Sequence, residues 1–235
     1  MVWQSCGAML FFDIETTGLF DGNVLPQINC VVVVDGKTKR AQRFYNKEGG
    51  PMTAAMVDAA ARCLLSSGQK VCGFNSCAFD LRAIALRASP AVGKKVAALC
   101  VSERHCDMML DFAARTGYYT SLASMASALG CGKKLMGSGE DAIAAWADGY
   151  LDQVLDYCEQ DVRLLCAITE HAMRYGRHER ITKNGRLQTV VIENYELYSV
   201  VTALAKSSTV DQSWMTDPPD IGASADWALE RLGLL

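Results

Sequence analysis

An apolar segment that carries two acids, Phe-Phe-Asp-Ile-Glu-Thr-Thr-Gly at residues 11–18, constrains this chain more than any other stretch. On a β-strand, alternate side chains point to opposite faces, so Asp13 and Glu15 project to one side while Phe12 and Ile14 project to the other. Two unpaired carboxylates so close together repel each other, and burying them is costly. A divalent cation removes this difficulty, because Mg²⁺ and Mn²⁺ prefer hard oxygen ligands. The segment is therefore either half of a metal site or a strand that ends in an acidic turn.

The composition is that of a globular chain with no strong electrostatic preference. Of its 235 residues, 50% are hydrophobic and 21% are charged, which suits one large domain or a domain with a small appendage. The formal net charge of −3 argues against a simple basic module that binds nucleic acid through surplus lysine and arginine. It does not argue against an enzyme in which metal ions contact phosphate.

The ten cysteines are scattered and none forms a Cys-x-x-Cys pair, which disfavours a zinc site. Residues 1–7 lack a cationic start, no signal-type apolar segment follows, and the longest apolar runs are too short to span a membrane. We therefore expect mostly small, buried and reduced cysteines in a cytoplasmic protein without membrane segments.

Three β-strands are predicted at the start of the chain. Residues 8–15, 27–34 and 40–45 are apolar or rich in β-branched side chains, and Asp35-Gly36 is a hairpin turn signal after the second strand. The chain is therefore expected to open with an antiparallel meander.

A helix, a short buried strand and a second helix are predicted next. The first helix begins near Pro51 and ends at Gly68, the strand covers residues 69–75, and the second helix covers residues 78–88. Asp80 then lies in the first helical turn, just past a strand, which is where ligand sites form in open α/β sheets. An acid in that place also suits the helix dipole, so the position alone leaves both roles open.

The longest helix is predicted at residues 151–175, from an apolar stripe at helical spacing. Tyr157 and Asp161 lie four residues apart at the margin of that stripe, either as a surface pair or as side chains that reach into a cleft. Shorter helices are predicted at residues 91–101, 121–129 and 141–146.

The region before the long helix also contains a glycine-rich segment, predicted to be a mobile loop, at residues 130–139. Lys133 and Lys134 in this loop are either solvated or in contact with phosphate. Asp107, further upstream in an apolar patch, is expected to have a structural rather than a catalytic role.

The character of the chain changes after residue 176. Asn184-Gly185 between two strand-like segments predicts a hairpin with a type I′ turn, and helices are predicted at residues 195–205 and 224–232. We therefore divide the chain into a domain of residues 1–176 and a C-terminal extension of residues 177–235, packed on the core.

Three acidic motifs, in this order and on these elements, resemble those of the DEDD superfamily of 3′–5′ exonucleases. Phe-Asp-Ile-Glu-Thr-Thr-Gly at residues 12–18 is similar to the first motif, and Gly-Phe-Asn-Ser-Cys-Ala-Phe-Asp at residues 73–80 to the second. Tyr-Cys-Glu-Gln-Asp at residues 157–161 is similar to the third in its Tyr-x-x-x-Asp form, which is the tyrosine branch (DEDDy) found in proofreading domains of family B DNA polymerases. The resemblance covers residues 8–175 and implies an α/β fold of the ribonuclease H type. In that fold a mixed β-sheet, an antiparallel three-strand meander plus parallel strands, is flanked by helices.

The resemblance also implies an active site and a reaction. The metal-binding carboxylates would be Asp13, Glu15, Asp80 and Asp161, holding two divalent cations, Mg²⁺ or Mn²⁺. Tyr157 would orient the attacking water. The reaction would be hydrolysis of phosphodiester bonds at the 3′ ends of single-stranded nucleic acid, most readily DNA, with release of nucleoside 5′-monophosphates.

Further residues would hold the terminal nucleotide in this resemblance. They are Thr16, Gly18, Leu19, Asn75 and Phe79. Any polymerase, or other DNA repair or replication complex, is expected to be a separate protein. Two alternatives stay open: a nuclease of the same fold that processes RNA, and a non-catalytic accessory protein that binds nucleic acid.

Overall fold

A five-stranded mixed sheet runs through the computed structural model, which describes residues 9–21, 24–131, 136 and 139–235. The strands are β1 (Met9–Thr16), β2 (Ile28–Asp35), β3 (Ala41–Tyr45), β4 (Lys70–Gly73) and β5 (His105–Asp107). They lie in the order β3-β2-β1-β4-β5. The pairs β1–β2 and β2–β3 are antiparallel, whereas β1–β4 and β4–β5 are parallel. The predicted fold class, a meander plus parallel strands, is confirmed.

Helices flank this sheet on both faces. They are α1 (Ala54–Ser66), α2 (Asp80–Arg87), α3 (Pro90–Cys100), α4 (Met108–Thr116), α5 (Leu122–Ala128), α6 (Gly139–Ala147), α7 (Leu151–Tyr175), α8 (Val200–Ser207) and α9 (Asp226–Leu232). A two-stranded sheet of β6 (Arg177–Ile181) and β7 (Leu187–Val191) follows α7. The bounds of α7 are those predicted from its apolar stripe.

Alternation along β1 divides the hydrophobic core into two halves. Phe12 and Ile14 pack with α1, α2 and α3 on one face of the sheet, while Phe11 packs with α4 and α7 on the other. Asp13 and Glu15 share the face of Phe11, because side chains two residues apart point the same way. The buried residues opposite fix the register of the strand and turn the two acids towards α7.

The region between α3 and α6 holds two elements that the sequence does not predict, β5 and α4. The strand is only three residues long and fully buried, so it shows no alternation that would reveal it. Asp107 ends this strand and caps α4 by accepting backbone N–H groups of its first turn. The predicted loop at residues 130–139, including Lys133 and Lys134, lies largely outside the described residues.

Two helices begin at least three residues later than predicted, each directly after a capping residue. Helix α1 begins at Ala54 rather than near Pro51, because the Thr53 hydroxyl accepts a backbone N–H of the first turn at 3.4 Å. Helix α8 begins after Ser199 rather than at residue 195, and the Ser199 hydroxyl plays the same role at 3.2 Å.

The hairpin of β6 and β7 closes through a different turn from the one that Asn184-Gly185 predicts. A type I′ turn needs positive φ at both residues, but of the two only Gly185 has it, at +73°. The N–H of Gly185 donates to the carbonyl oxygen of Thr182 at 2.9 Å, and the N–H of Thr182 donates to the carbonyl oxygen of Arg186 at 2.8 Å. The resulting three-residue loop needs only the glycine in the left-handed region, so it avoids straining the asparagine.

The C-terminal segment contacts the helices around the sheet. Trp227 of α9 donates its indole N–H to the carbonyl oxygen of Cys77 at 2.8 Å. In β6, His178 lies 2.7 Å from the Asp111 carboxylate of α4. The division of the chain after residue 176 stays a prediction.

The nine described cysteines are free thiols, and seven of them are buried, as the sequence predicts. Among the helices of the described ranges, none has both the length and the apolar character needed to cross a membrane.

Candidate active site

The acids of β1 lie where the neighbouring strand stops. Phe11 pairs with Cys72, one residue before the end of β4, so Asp13 and Glu15 extend beyond that strand. The register of β1 against β2 shifts between Glu15 and Thr16, and irregularities of this kind re-aim side chains beside active sites. Both carboxylates are partly exposed at this edge of the sheet.

Helix α7 lies against these acids. The Cys158 thiol donates to Oδ2 of Asp13 at 3.7 Å, and one ligand atom from each of Asp13, Glu15 and Cys158 lies within 4.8 Å of the others. Tyr157 and Asp161 are buried, with 3% and 5% of their surface exposed. At 3.6 residues per turn, Asp161 lies between Tyr157 and Cys158 around the helix axis. The face of α7 that carries the third motif is therefore turned towards β1.

Asp80 approaches the same strand from α2. It lies in the first turn of this helix, is only 3% exposed, and accepts a hydrogen bond from the backbone N–H of Ile14. Burial raises the pKa of Asp80 well above its usual range, and the negative charges of Asp13 and Asp107 raise it further. A bound cation would stabilise the ionised form of a carboxyl group in this position.

The donor set fits a hard divalent cation. Asp13, Glu15 and Asp80 bring carboxylate oxygens to one end of β1, and such oxygens are the ligands that Mg²⁺ and Mn²⁺ prefer. Burial first, and then the neighbouring Cys30 and the acids, raises the pKa of the Cys158 thiol. In this structure the thiol donates to Asp13.

The predicted substrate-binding residues differ in exposure. Leu19 is 75% exposed, whereas Thr16 is buried and its hydroxyl donates to the carbonyl oxygen of Gly18 at 2.6 Å. Asn75 and Phe79 are half-buried in the connection between β4 and α2. These residues lie at the end of β1, in the connection after it and in the connection that leads to α2, and binding of substrate by them stays a prediction.

Two residues outside the motifs extend this surface. The rings of Phe20 and Phe79 meet edge-on with 5.4 Å between their centroids, and the Arg82 guanidinium lies 4.5 Å from the centre of the Phe20 ring. Arg87 donates to the carbonyl oxygen of Pro26 at 2.8 Å, which fastens the connection after β1 to α2. No spacing in the sequence signals contacts between segments so far apart along the chain.

Asp107, too, makes contacts that the sequence does not predict. It is 1% exposed, and its carboxylate accepts the backbone N–H groups of Asn75 at 3.0 Å and Cys77 at 2.9 Å. An acid directly before a helix is an N-cap signal, so the sequence could have indicated the cap. The bonds to the connection between β4 and α2 have no such signal.

A family model described as the RNase_H superfamily matches residues 10–173, more than half of the chain. The chain belongs to the RNase_H superfamily. The match includes β1 except for Met9, the start of α2 that carries Asp80, and almost all of α7.

Solved structures share the fold as well, with 38 chains matching significantly. One is the family B DNA polymerase from the hyperthermophilic archaeon Pyrobaculum calidifontis, with a TM-score of 0.54 and 13% sequence identity. The match covers 95% of this chain but 28% of the polymerase chain, and at this identity it shows a common fold. No curated protein matches the sequence significantly.

Proposed function

We propose that this protein is a metal-dependent 3′–5′ exonuclease of the tyrosine branch of the DEDD superfamily. It hydrolyses phosphodiester bonds at the 3′ ends of single-stranded DNA and releases nucleoside 5′-monophosphates. The observation that carries the proposal is the meeting of acids from separate motifs at one end of β1. Asp13 and Glu15 belong to the strand itself, and Asp80 bonds to its backbone. Membership of the RNase_H superfamily supports this reading, because nucleases of this fold generally use divalent metals.

In the proposed site, the carboxylates that would hold the two divalent cations are those of Asp13, Glu15, Asp80 and Asp161. When bound, Mg²⁺ or Mn²⁺ ions supply the activation of water and the charge neutralisation that phosphodiester hydrolysis needs. The protein fixes the carboxylates beforehand. Strand β1 sets Asp13 and Glu15 on one face, and the start of α2 holds Asp80 against the same strand.

Tyr157 contributes a hydroxyl group to the proposed reaction. Its role is to orient the attacking water by a hydrogen bond, in line with the scissile phosphorus–oxygen bond. Two features of its position support this role. Its ring is only 3% exposed and so is held by packing, and it lies one turn from Asp161 on the face of α7 that contacts β1.

The terminal nucleotide is proposed to lie on the surface formed by the connection after β1 and the start of α2. Leu19 wedges against the last base, Phe79 provides an aromatic face, and Asn75 bonds to sugar or phosphate. Thr16 and Gly18 shape the turn that carries Leu19. The exposure of Leu19 and the adjacent Arg82 support this part of the proposal, because stacking surfaces beside a cation bind single strands.

The setting of the enzyme is part of the same proposal. We place it in the cytoplasm, which the nine free cysteines support. A separate polymerase, or another DNA repair or replication complex, would supply or consume the 3′ ends on which it acts.

Digestion of a 5′-labelled single-stranded oligonucleotide tests the proposal. Wild-type protein with Mg²⁺ or Mn²⁺ should give a ladder that shortens from the 3′ end, and a 3′-terminal block or EDTA should prevent it. Asp13→Ala should abolish the ladder, whereas Asp152→Ala, which removes an exposed acid of α7, should not. Equal activity of the wild type and Asp13→Ala would contradict the proposal.

The same experiment separates the alternatives. Preferential digestion of a matched RNA oligonucleotide would indicate an RNA-processing nuclease, because only a contact to the 2′-hydroxyl tells the two substrates apart at a given site. Binding of metal and oligonucleotide without any turnover would indicate a non-catalytic accessory protein.

A further inference from the structure

The Asp107 carboxylate joins two parts of the fold that are distant in sequence. Its Oδ1 accepts the backbone N–H groups of Met109 and Leu110, at 3.0 and 3.3 Å, and thereby caps α4. The same oxygen accepts the N–H of Asn75 at 3.0 Å. Its Oδ2 accepts the N–H of Cys77 at 2.9 Å. A simple helix cap would need only the bonds to α4. Each oxygen of the Asp107 carboxylate also accepts a backbone N–H group of the connection that leads to α2.

The residues that Asp107 holds are bonded in turn to the residues on either side of Asp80. The N–H of Phe79 donates to the carbonyl oxygen of Asn75 at 3.1 Å, and the N–H of Leu81 donates to that of Ser76 at 2.9 Å. Two short chains of hydrogen bonds therefore lead from Asp107 to the neighbours of Asp80, one through the N–H of Asn75 and a weaker one, 3.4 Å long, through the hydroxyl of Ser76. The position of the Asp80 carboxylate depends on the geometry of this connection.

The connection is tight, and the bonds to Asp107 hold it in this shape. Asn75 has a φ of +59°, in the left-handed region that most residues other than glycine, asparagine and aspartate avoid. A Cβ added at Gly73 would lie 2.3 Å from the side chain of Ser76, so the strand end and the connection are in close contact. The Ser76 hydroxyl lies 2.9 Å from Nε2 of His105 and 3.4 Å from Oδ2 of Asp107, which ties it to β5 as well.

We infer that Asp107 is a positioning residue for the proposed nuclease site, acting through the connection of residues 74–79 on the Asp80 carboxylate. This inference rests on the proposed function and adds a residue of β5 to it. In the proposed site, Asp107 itself contacts neither a cation nor the substrate. It fixes where Asp80 can bind a cation.

Mn²⁺ binding, measured by electron paramagnetic resonance of the free ion, tests this inference without relying on turnover. Asp107→Asn places an amide N–H₂ where Oδ2 now accepts the N–H of Cys77, so two donors would face each other. We expect the dissociation constant for Mn²⁺ to rise by about tenfold or more, the size of effect that residues supporting metal ligands have. With an oligonucleotide substrate, kcat should fall while KM changes by less than about twofold.

Asp111→Asn is the matched control. Asp111 is buried like Asp107 and lies in α4, the helix that Asp107 caps, but it bonds to the C-terminal segment. It should lower the melting temperature and leave Mn²⁺ affinity of the folded protein unchanged. If Asp107→Asn behaves in the same way, with wild-type Mn²⁺ affinity, Asp107 is only structural and the inference is wrong.

Two further variants guard against ambiguous outcomes. In an Asp80→Asn background, adding Asp107→Asn should change Mn²⁺ affinity no further, because the effect is transmitted through Asp80; an equal, additive loss contradicts the inference. If Asp107→Asn does not fold, Gly73→Ala displaces the same connection without changing charge, and unchanged Mn²⁺ affinity there overturns it. A wild-type protein that binds Mn²⁺ no better than Asp13→Ala would instead refute the proposed function itself.

Discussion

Asp80 and Asp111 are both buried aspartates in the first turn of a helix, yet their surroundings are electrically opposite. Asp111 of α4 is fully buried and accepts hydrogen bonds from His178 at 2.7 Å, Tyr195 at 2.9 Å and Arg115 at 3.0 Å. Asp80 of α2 is 3% exposed, and the largest charges acting on it are negative, those of Asp13 and Asp107. The protein itself therefore neutralises the Asp111 carboxylate, whereas the surroundings of the Asp80 carboxylate are those of a cation ligand.

The pKa directions express the same difference. Burial acts to raise the pKa of Asp111, but the hydrogen bond and charge of His178, together with Arg115, outweigh it and leave the pKa below its usual value. For Asp80, burial raises the pKa and the neighbouring acids add to the effect. A buried acid with donors and cations around it stabilises a fold, whereas a buried acid among other acids indicates a ligand site.

Asp80→Asn changes the proposed metal site and should have the largest effect on activity. Exonuclease activity should fall by at least about 100-fold, because a metal ligand supplies several kcal/mol of charge stabilisation in such reactions. The melting temperature in EDTA should rise, since a neutral amide removes the repulsion from Asp13 and still accepts the N–H of Ile14. Activity assays and thermal unfolding on the same preparation check both directions. A lower metal-free melting temperature would break the comparison.

Asp111→Asn should have the opposite pattern. Breaking a buried ion pair strands its partners, so the free energy of unfolding should fall by about 3–5 kcal/mol. Urea unfolding measures this loss. Specific activity, corrected for the folded fraction, should stay within about twofold of wild type, because the network joins α4 to the C-terminal segment and not to the acids of β1. Loss of activity in a fully folded Asp111→Asn variant would contradict a purely stabilising role for Asp111.

The pH dependence of stability in EDTA should sharpen the contrast. The folded-state pKa of Asp80 lies above its ordinary value of 3.8, so the stability gained by keeping it protonated is lost as pH rises through that folded pKa. The folded-state pKa of Asp111 lies below 3.8, so its contribution is present above that value and is lost as pH falls through the folded pKa. Urea unfolding across the acidic range should therefore show Asp80→Asn more stable than wild type at high pH and converging with it at low pH. Asp111→Asn should be less stable at high pH and converge at low pH.

Leu19→Ala should have the smallest effect. Leu19 is 75% exposed, so its removal should not alter the melting temperature, but KM for a single-stranded oligonucleotide should rise by about threefold to tenfold as a wedge against the last base is lost. Val191→Ala is the matched control, because Val191 is 75% exposed in β7, outside the proposed site. Equal KM values in the two variants would remove Leu19 from the substrate surface.

What the sequence predicts well is periodic or carries a local signal. The bounds of α7 and the face of β1 that bears Asp13 follow from alternation and helical spacing, because those patterns extend over many residues. Strand β5 fails this test, since three fully buried residues have no pattern. The contacts of Asp107 with Asn75 and of Asp111 with His178 join residues far apart in the chain, so only the folded structure reveals them.

The candidate site divides in the same way. Asp13 and Glu15 are indicated by the strand pattern itself. For Asp80 and Asp161 the sequence position leaves both a structural and a ligand role open, and only the resemblance of their motifs indicates the ligand role. The structure adds the hydrogen bond between Asp80 and Ile14 and the contact of α7 with Asp13. The contrast between Asp80 and Asp111 is invisible in the sequence, which does not predict the helix that carries Asp111.

The most direct test of the central claim is the effect of Mn²⁺ on thermal unfolding of the wild type, Asp13→Ala and Asp111→Asn. A cation that binds only the folded protein at 100 times its dissociation constant adds about 2.7 kcal/mol to the free energy of unfolding. We expect this gain in the wild type and in Asp111→Asn, and its loss in Asp13→Ala. An equal gain in Asp13→Ala, or none in the wild type, would contradict the claim that these acids form a metal site.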